Sequence, residues 1–278
     1  MNLQGSYQIN TIASDVKKEI NRLKAQVELF WDKELQHYVE FGLSDGMLIA
    51  ELGSGPGFVT EKILEKFPNA NVTAVEIDPF LVDFARNYLS QKNISQCTVI
   101  QKSIMETGLI ENSFDFAITR LVLEHFPDPV NAVREIFRIL KPGGRAIFVD
   151  NDFEMHIMTY PHVSELRELY NAYCESRYAE GGNPKIGREL PSILKKGGFS
   201  KVDFEIISAH SEIVGDEMFL KSEGIGIPIK LVRDGFLSSK VLGRISTEWR
   251  KMIKSENHSI IRQLYMAVGE KCCGNGGS

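Results

Sequence analysis

The chain has 278 residues, 43% of them hydrophobic and 25% charged, with a formal net charge of −5. This suits a globular protein of one domain, or one domain with an added subdomain, long enough to bury a core. The acidic balance argues against nucleic acid as a partner, because polyanion binding needs a dominant basic field.

The four cysteines, Cys97, Cys174, Cys272 and Cys273, show no Cys-x-x-Cys spacing. Zinc ligation and a disulfide framework are therefore not expected, and a reducing, cytoplasmic setting fits best. No apolar run reaches the length of a bilayer span, so no membrane partner is expected. The opening "MNLQGSYQIN" lacks the charged and apolar blocks of a signal peptide.

Taken in chain order, apolar residues recur at helical spacing from Ile20 to Tyr38 with charges between them. The spacing predicts an amphipathic helix inside an N-terminal cap, residues 1–42. The run "MLIAEL" (47–52) reads as a buried strand ending in the glycine-rich "GSGPG". Residues 57–67 are helix-periodic, 71–77 form a β-branched strand, and 79–89 a second helix. Strands near 97–101, 114–119 and 145–150 follow, with a helix at 129–140 between the last two. Such alternation implies right-handed crossovers and a mostly parallel sheet with helices on both faces.

Beyond Asp150 the pattern loosens into a helix at 163–179, the turn "EGGNPKIG", a short helix at 189–196 and a strand at 200–207. The stretch 216–256 reads as irregular helix, and "RQLYMAVGEK" (262–271) as a strand. These last strands form an expected antiparallel hairpin whose connection is enlarged into a helical lid, residues 216–258. The expected architecture is α/β: a Rossmann-like, doubly wound, mostly parallel seven-stranded sheet. Its core would span 43–215 with a closing strand at 259–271, and 272–278 would be a disordered tail.

A strand, a glycine turn and a helix form a nucleotide-binding corner. Glycine admits positive φ and lets backbone approach a ligand, while the following helix N-terminus offers unpaired N–H groups. The spacing Gly53-x-Gly55-x-Gly57 departs from the dinucleotide fingerprint, whose third glycine would fall at Phe58. No Lys-Ser/Thr follows, which excludes a P-loop. Glu51 puts a carboxylate where a pyrophosphate would be repelled and a cationic ligand favoured. Glu76 ends the second strand about twenty residues beyond the loop, where a carboxylate accepts both ribose hydroxyls. Together they suit a sulfonium nucleoside, S-adenosylmethionine.

At these residues the sequence resembles the class I S-adenosylmethionine-dependent methyltransferases. "LIAELGSGPG", "VTAVEID", "ENSFDFAITRLVLEHFPDP" and "REIFRILKPGGRAIFVD" are similar to four motifs of that family in order, and the resemblance runs over about residues 20–207. "GGNPKIGRELPSILKKGGF" is similar to a segment of bacterial small-molecule methyltransferases. The resemblance implies that Gly53, Ser54, Gly55 and Gly57 line the methionine part of the cofactor. It implies too that Glu76 holds the ribose and Ile77 lies against the adenine. Where the family commonly places an aspartate for the adenine amino group, this chain has Ser103, followed by Ile104. A neutral hydrogen bond, about 0.5–1.5 kcal/mol net, would stand in for a charged one.

The acceptor is narrowed by what is missing. The stretch after the fourth strand reads "TRLVLEH" rather than the Asn/Asp-Pro-Pro-aromatic signature of enzymes that methylate amino groups of DNA bases or glutamine. No Pro-Cys dipeptide supports a cytosine C5 mechanism, and the double-glutamate hairpin of protein arginine methyltransferases is missing. The expected acceptor is an oxygen or nitrogen of a small molecule, in a monomer or homodimer. His125 is the candidate general base. Catechol-type enzymes hold magnesium at an Asp-Asn pair like Asp150-Asn151 with an aspartate after the fourth strand; Arg120 stands at that second point, so no metal is expected. Arg120 is assigned to the cofactor or to an anionic acceptor. Tyr7, Asp152, His156 and Arg188 are candidate acceptor contacts. The competing reading is a non-catalytic S-adenosylmethionine-binding accessory or regulatory protein.

Overall fold

The computed structural model describes residue 9, residues 15–224 and residues 226–272. Tyr7 and most of the expected tail lie outside the described residues. Helix α1 (Val16–Glu40) starts at Asp15, whose side chain accepts from the Lys18 N–H and so satisfies an open donor of the first turn. Its inward face buries Ile20, Val27, Phe30, Trp31 and Tyr38, as the helical spacing requires, and with them the polar Glu19, Gln26 and Glu34.

Five parallel strands come next: β1 (Leu48–Leu52), β2 (Asn71–Glu76), β3 (Cys97–Gln101), β4 (Phe114–Arg120) and β5 (Leu140–Asp150). Helices α2 (Phe58–Lys66), α3 (Pro79–Gln91) and α4 (Val130–Ile139) lie between them. Ile49, Ala50, Leu52, Ala117, Ile118, Ile147 and Phe148 are all buried. That is why these strands read as continuous apolar runs and not as alternating ones. Beyond β5 come β6 (Ile157–Tyr160), α5 (Leu166–Ala179), a 3-10 turn (Ile186–Glu189), α6 (Leu190–Gly197) and β7 (Ser200–His210). A single helical turn (Ser211–Val214) leads to α7 (Asp216–Glu223), α8 (Gly226–Arg233) and α9 (Ser239–Ile253), and β8 (Ser259–Glu270) follows.

The strand path runs β3-β2-β1-β4-β5-β8, and β7 pairs along the far edge of β8. Strand β8 is antiparallel to β5, with Tyr265 opposite Asp150 and Glu270 opposite Arg145. The expected hairpin of the last two long strands, split by helices, is present. The sheet has eight strands, however, not seven. Strand β6 occupies the start of β8 on the β5 side, Ile157 opposite Arg262 and Tyr160 opposite Ser259. Its four residues, "IMTY", are half-buried and exposed in turn, too short a run to register as a periodic signal.

Strand order reverses at β1: the chain lays β2 and β3 to one side, then returns to place β4 on the other. Open α/β sheets bind ligands at such a point, beyond the carboxyl ends of the strands.

Candidate active site

The glycine turn closes directly on that point. The N–H groups of Gly53 and Ser54 both donate to the Val75 carbonyl, at 2.7 and 3.0 Å, which ties the end of β1 to the end of β2. Gly53 has φ 75°, and a Cβ there would stand 2.4 Å from Val122 Cγ2, so backbone and space both demand glycine. Gly55 donates its N–H to Glu76 Oε2 at 2.8 Å. Glu76 Oε1 accepts from the N–H groups of Ile77 and Asp78 at 2.8 and 2.9 Å. Burial holds the Glu76 carboxyl above the usual carboxylate range despite these three donors. Thr60 donates to Glu51, and burial pushes the Glu51 carboxyl up to about 7.

A cavity of about 200 Å³ opens over these strand ends. Glu51, Gly53, Ser54, Gly55 and Glu76 line its floor, and Ile77, Ser103 and Ile104 line it from the ends of β2 and β3. Ser103 Oγ accepts from the Met105 N–H at 3.2 Å. Ser54 Oγ is buried with no hydrogen-bond partner among the described residues, a hydroxyl of the kind a ligand satisfies. Gly57 is not on the cavity wall. It sits at φ 83° as the N-cap of α2, and a Cβ there would lie 3.4 Å from Ala85 and Leu89; what it serves is the packing of α2 on α3.

Arg120 borders the cavity, but its guanidinium turns to α1. Its Nε donates to both oxygens of Glu34 at 3.0 and 2.9 Å, and its Nη2 donates to Glu34 Oε1 at 2.8 Å and to the Gln26 carbonyl at 2.9 Å. Arg120 thus fastens α1 across the end of β4.

The far end of the cavity is built from the turn after β4 and the end of β5. Leu121 takes the left-handed conformation at φ 56°, and a 3-10 turn, Leu123–His125, follows. The loop "GGNPKIG" lies behind both segments. Asn183 N–H donates to the Glu124 carbonyl at 2.8 Å and Gly187 N–H to the Asn151 carbonyl at 2.9 Å. A Cβ on Gly182 would come within 2.5 Å of the Glu124 carbonyl oxygen, and one on Gly187 within 2.8 Å of that of Asn151. The two glycines are there because the loop presses its backbone against the site.

His125 faces the cavity, and its Nδ1 lies 2.9 Å from Arg177 Nη1. Arginine only donates, so Nδ1 accepts and the neutral ring carries its proton on Nε2. Burial, then the Arg177 charge, holds this imidazole well below its usual pKa. The geometry makes His125 a support for Arg177 and disfavours it as the base.

Asp152 and Arg188 are not on the cavity wall either: they pair with each other through two guanidinium nitrogens, one of them at 2.7 Å. Arg188 also reaches Glu154 at 2.6 Å. Together they tie the segment after β5 to the 3-10 turn at 186–189. His156 does line the cavity, with Nε2 3.1 Å from Glu223 Oε2 and its ring stacked on Phe153 at 4.3 Å.

Above the cavity, α1 contributes Glu19 and Arg22, and α7 and α8 contribute Glu223, Ile227 and Lys230. Glu223 joins roof to sheet through Arg262 of β8 at 3.1 Å. Burial alone would raise the Glu223 carboxyl, but Arg262 and His156 outweigh it and hold it at about 2. Sequence reasoning missed Glu124, Arg177 and Arg262, and weighed Asn151 only as half of a metal-binding pair. Glu124 had a signal, next to His125 in "LEHFPDP".

A cavity at the switch point of a doubly wound sheet, over a glycine turn and an acidic strand end, gives the molecule the layout of a Rossmann-like domain. The chain matches, over residues 50–148, the family model described as a methyltransferase domain. It is similar to an uncharacterized methyltransferase of Schizosaccharomyces pombe, 31% identical over 148 residues, which are 51% of this chain and 52% of that protein. It is also similar to a sterol 24-C-methyltransferase of Aspergillus fumigatus, 30% identical over 112 residues, 39% of this chain and 29% of that one. The chain thus spans about half, or less, of the length of these curated relatives. In fold it matches the Haemonchus contortus phosphoethanolamine N-methyltransferase 2 in complex with phosphomonomethylethanolamine and S-adenosylhomocysteine. That match has a TM-score of 0.58 at 20% identity, over 87% of this chain and 53% of that one.

Proposed function

We propose that the protein transfers a methyl group from S-adenosylmethionine to an oxygen or nitrogen of a small molecule. The observation that carries this is one cavity bounded by the glycine turn and Glu76 on one side and by the β4 turn and the helical roof on the other. Gly53, Ser54 and Gly55 would hold the amino-acid part, Glu76 the ribose, and Ile77, Ser103 and Ile104 the adenine. S-adenosylmethionine supplies a methyl group already activated on a sulfonium. The chain's own task is orientation and exclusion of water, which together lower the barrier of a displacement. The roof of α1, α7 and α8 favours a small acceptor, and the net charge of −5 disfavours a nucleic acid. The similar proteins named above include a carbon and a nitrogen methyltransferase, so the acceptor atom must be argued from this site.

Thermal shift and calorimetry test the donor. S-adenosylmethionine and S-adenosylhomocysteine should protect the protein and NAD should not. Glu76→Ala removes a charged acceptor worth about 1.5–3 kcal/mol, so affinity should fall roughly 10- to 150-fold. Protection by NAD alone, or normal binding by Glu76→Ala, would overturn the placement. Release of S-adenosylhomocysteine with an acceptor separates an enzyme from an accessory binding protein.

A further inference from the structure

Beside the expected base lies a buried pair that neither the cofactor nor the fold accounts for. Glu124 is 4% exposed and Asn151 2%, and both line the cavity. Their backbones are fixed from two sides. The Asp150 carboxyl accepts from the Glu124 N–H at 3.3 Å and the Asn151 N–H at 2.9 Å, while the glycine loop holds both carbonyls. Asn151 Nδ2 donates to Glu124 Oε1 at 3.3 Å, which sets the amide orientation. Glu124 Oε2 and Asn151 Oδ1 remain, each without a hydrogen-bond partner among the described residues.

Two buried oxygens left unpaired cost free energy unless something donates to them. Both are acceptors, so the missing partner carries hydrogens on nitrogen or oxygen. The pair also stands next to the donor end: Val122, two residues before Glu124, is the side chain that a Cβ on Gly53 would strike.

We propose that Glu124 Oε2 and Asn151 Oδ1 bind the N–H or O–H group of the acceptor, and that Glu124 takes up the proton displaced as that heteroatom is methylated. This rests on the methyl-transfer reading above. In the step, the lone pair of the acceptor nitrogen or oxygen forms the bond to the methyl carbon. The carbon–sulfur pair returns to sulfur, and the proton leaves the heteroatom for Glu124 Oε2. Burial raises the Glu124 carboxyl above the usual carboxylate range against the opposing charge of Arg177, a direction that suits a group which must take up a proton. The substrate class that follows is a compact amine, alcohol or phenol. A plain alkene, methylated on carbon, has no N–H or O–H to offer these two oxygens.

The test compares wild type with Glu124→Gln, whose amide keeps the size and loses the base, and with Asn151→Ala. Ethanolamine, glycine and catechol serve as N–H and O–H probes, and squalene in detergent as a carbon probe. S-adenosylmethionine affinity is measured first by calorimetry, so that a failure of the methyl-transfer reading, on which this proposal rests, is told apart from a failure of the Glu124–Asn151 pair. With donor affinity intact, at least one N–H or O–H probe should be turned over, and Glu124→Gln should lower kcat by about 10²–10⁴-fold. The same probe should raise the melting temperature of S-adenosylhomocysteine-loaded wild type and leave that of loaded Glu124→Gln and Asn151→Ala in place. Three results overturn the proposal: unchanged kcat in Glu124→Gln, turnover of squalene alone, or no probe that stabilises loaded wild type more than it stabilises Glu124→Gln and Asn151→Ala.

Discussion

The joint between α1 and the sheet yields a prediction with a magnitude. Glu34 and Arg120 have side chains only 1% and 8% exposed, and three N–O contacts of 2.8 to 3.0 Å join them. Tyr38 donates its hydroxyl to Glu34 at 2.8 Å; burial, then the Glu34 charge, keeps that phenol protonated. Breaking a buried pair from one side costs about 3–5 kcal/mol, because the remaining charge stays buried. Glu34→Gln retains one neutral acceptor, and the Gln26 carbonyl still receives Arg120 Nη2, so the lower figure of about 3 kcal/mol applies. Urea unfolding followed by circular dichroism reads this as a lower midpoint at unchanged slope. The double substitution Glu34→Leu/Arg120→Met leaves no unpaired charge and should be less destabilised than Arg120→Met or Glu34→Leu alone. A loss below about 1 kcal/mol in Glu34→Gln, or single losses that add within about 0.5 kcal/mol, would refute a buried anchor. Calorimetry on the doubly substituted protein also separates the two roles of Arg120. A helix anchor leaves donor affinity nearly unchanged, and a cofactor contact does not.

Two further perturbations probe the floor and the loop behind the site. Glu51 is raised to about 7 by burial, against Thr60 and Arg120; a cation bound beside it favours the ionised form, so binding of S-adenosylmethionine should release protons and tighten as pH rises through about 7. Calorimetry in buffers of different ionisation enthalpy measures the release, and equal affinity from about pH 6 to pH 8 would contradict a positive charge next to Glu51. Gly187→Ala would place a Cβ 2.8 Å from the Asn151 carbonyl and 2.9 Å from Tyr265, so overpacking should cost about 1–3 kcal/mol and turnover should fall more than donor affinity. Gly243→Ala in α9, where a Cβ meets nothing within 4 Å, serves as the control and should be neutral or stabilising by about 0.5–1 kcal/mol.

The parallel core and the glycine-turn end of the cavity were legible because local constraints produce them. Buried strands need unbroken apolar runs, the turn needs glycine at Gly53, and Glu76 follows at the end of the adjacent strand. The opposite end was not legible because its parts meet only in space. Arg22, Glu124, Asn151, Arg177, Glu223 and Arg262 come from six separate segments, and no spacing joins them. Asp152 and Arg188 misled for the same reason: two polar residues near the sheet's carboxyl edge suggest a substrate contact, and their mutual pairing is invisible along the chain. Arg120 was placed at the right edge of the cavity, but its partner lies 86 residues earlier.

The two ends of the cavity are also held by different means, and this bears on how the acceptor is chosen. At the glycine-turn end, backbone N–H groups of Gly53, Ser54 and Gly55 bond to the Val75 carbonyl and the Glu76 carboxylate, so that end is fixed by residues inside the segment 50–148. At the opposite end, Glu124 and Asn151 are steered by backbone bonds from residues 183 and 187, and the roof is steered by Glu223 and Arg262. Those residues lie outside the segment 50–148 that matches the family model. The floor can therefore remain fixed while the loop at 181–188 and the helices α7 and α8 vary, re-aiming Glu124 and Asn151 without touching the donor. Acceptor choice, on this reading, resides in the clamp and the roof, and exchanging residues 181–188 should change which acceptor is turned over while leaving the donor's affinity in place.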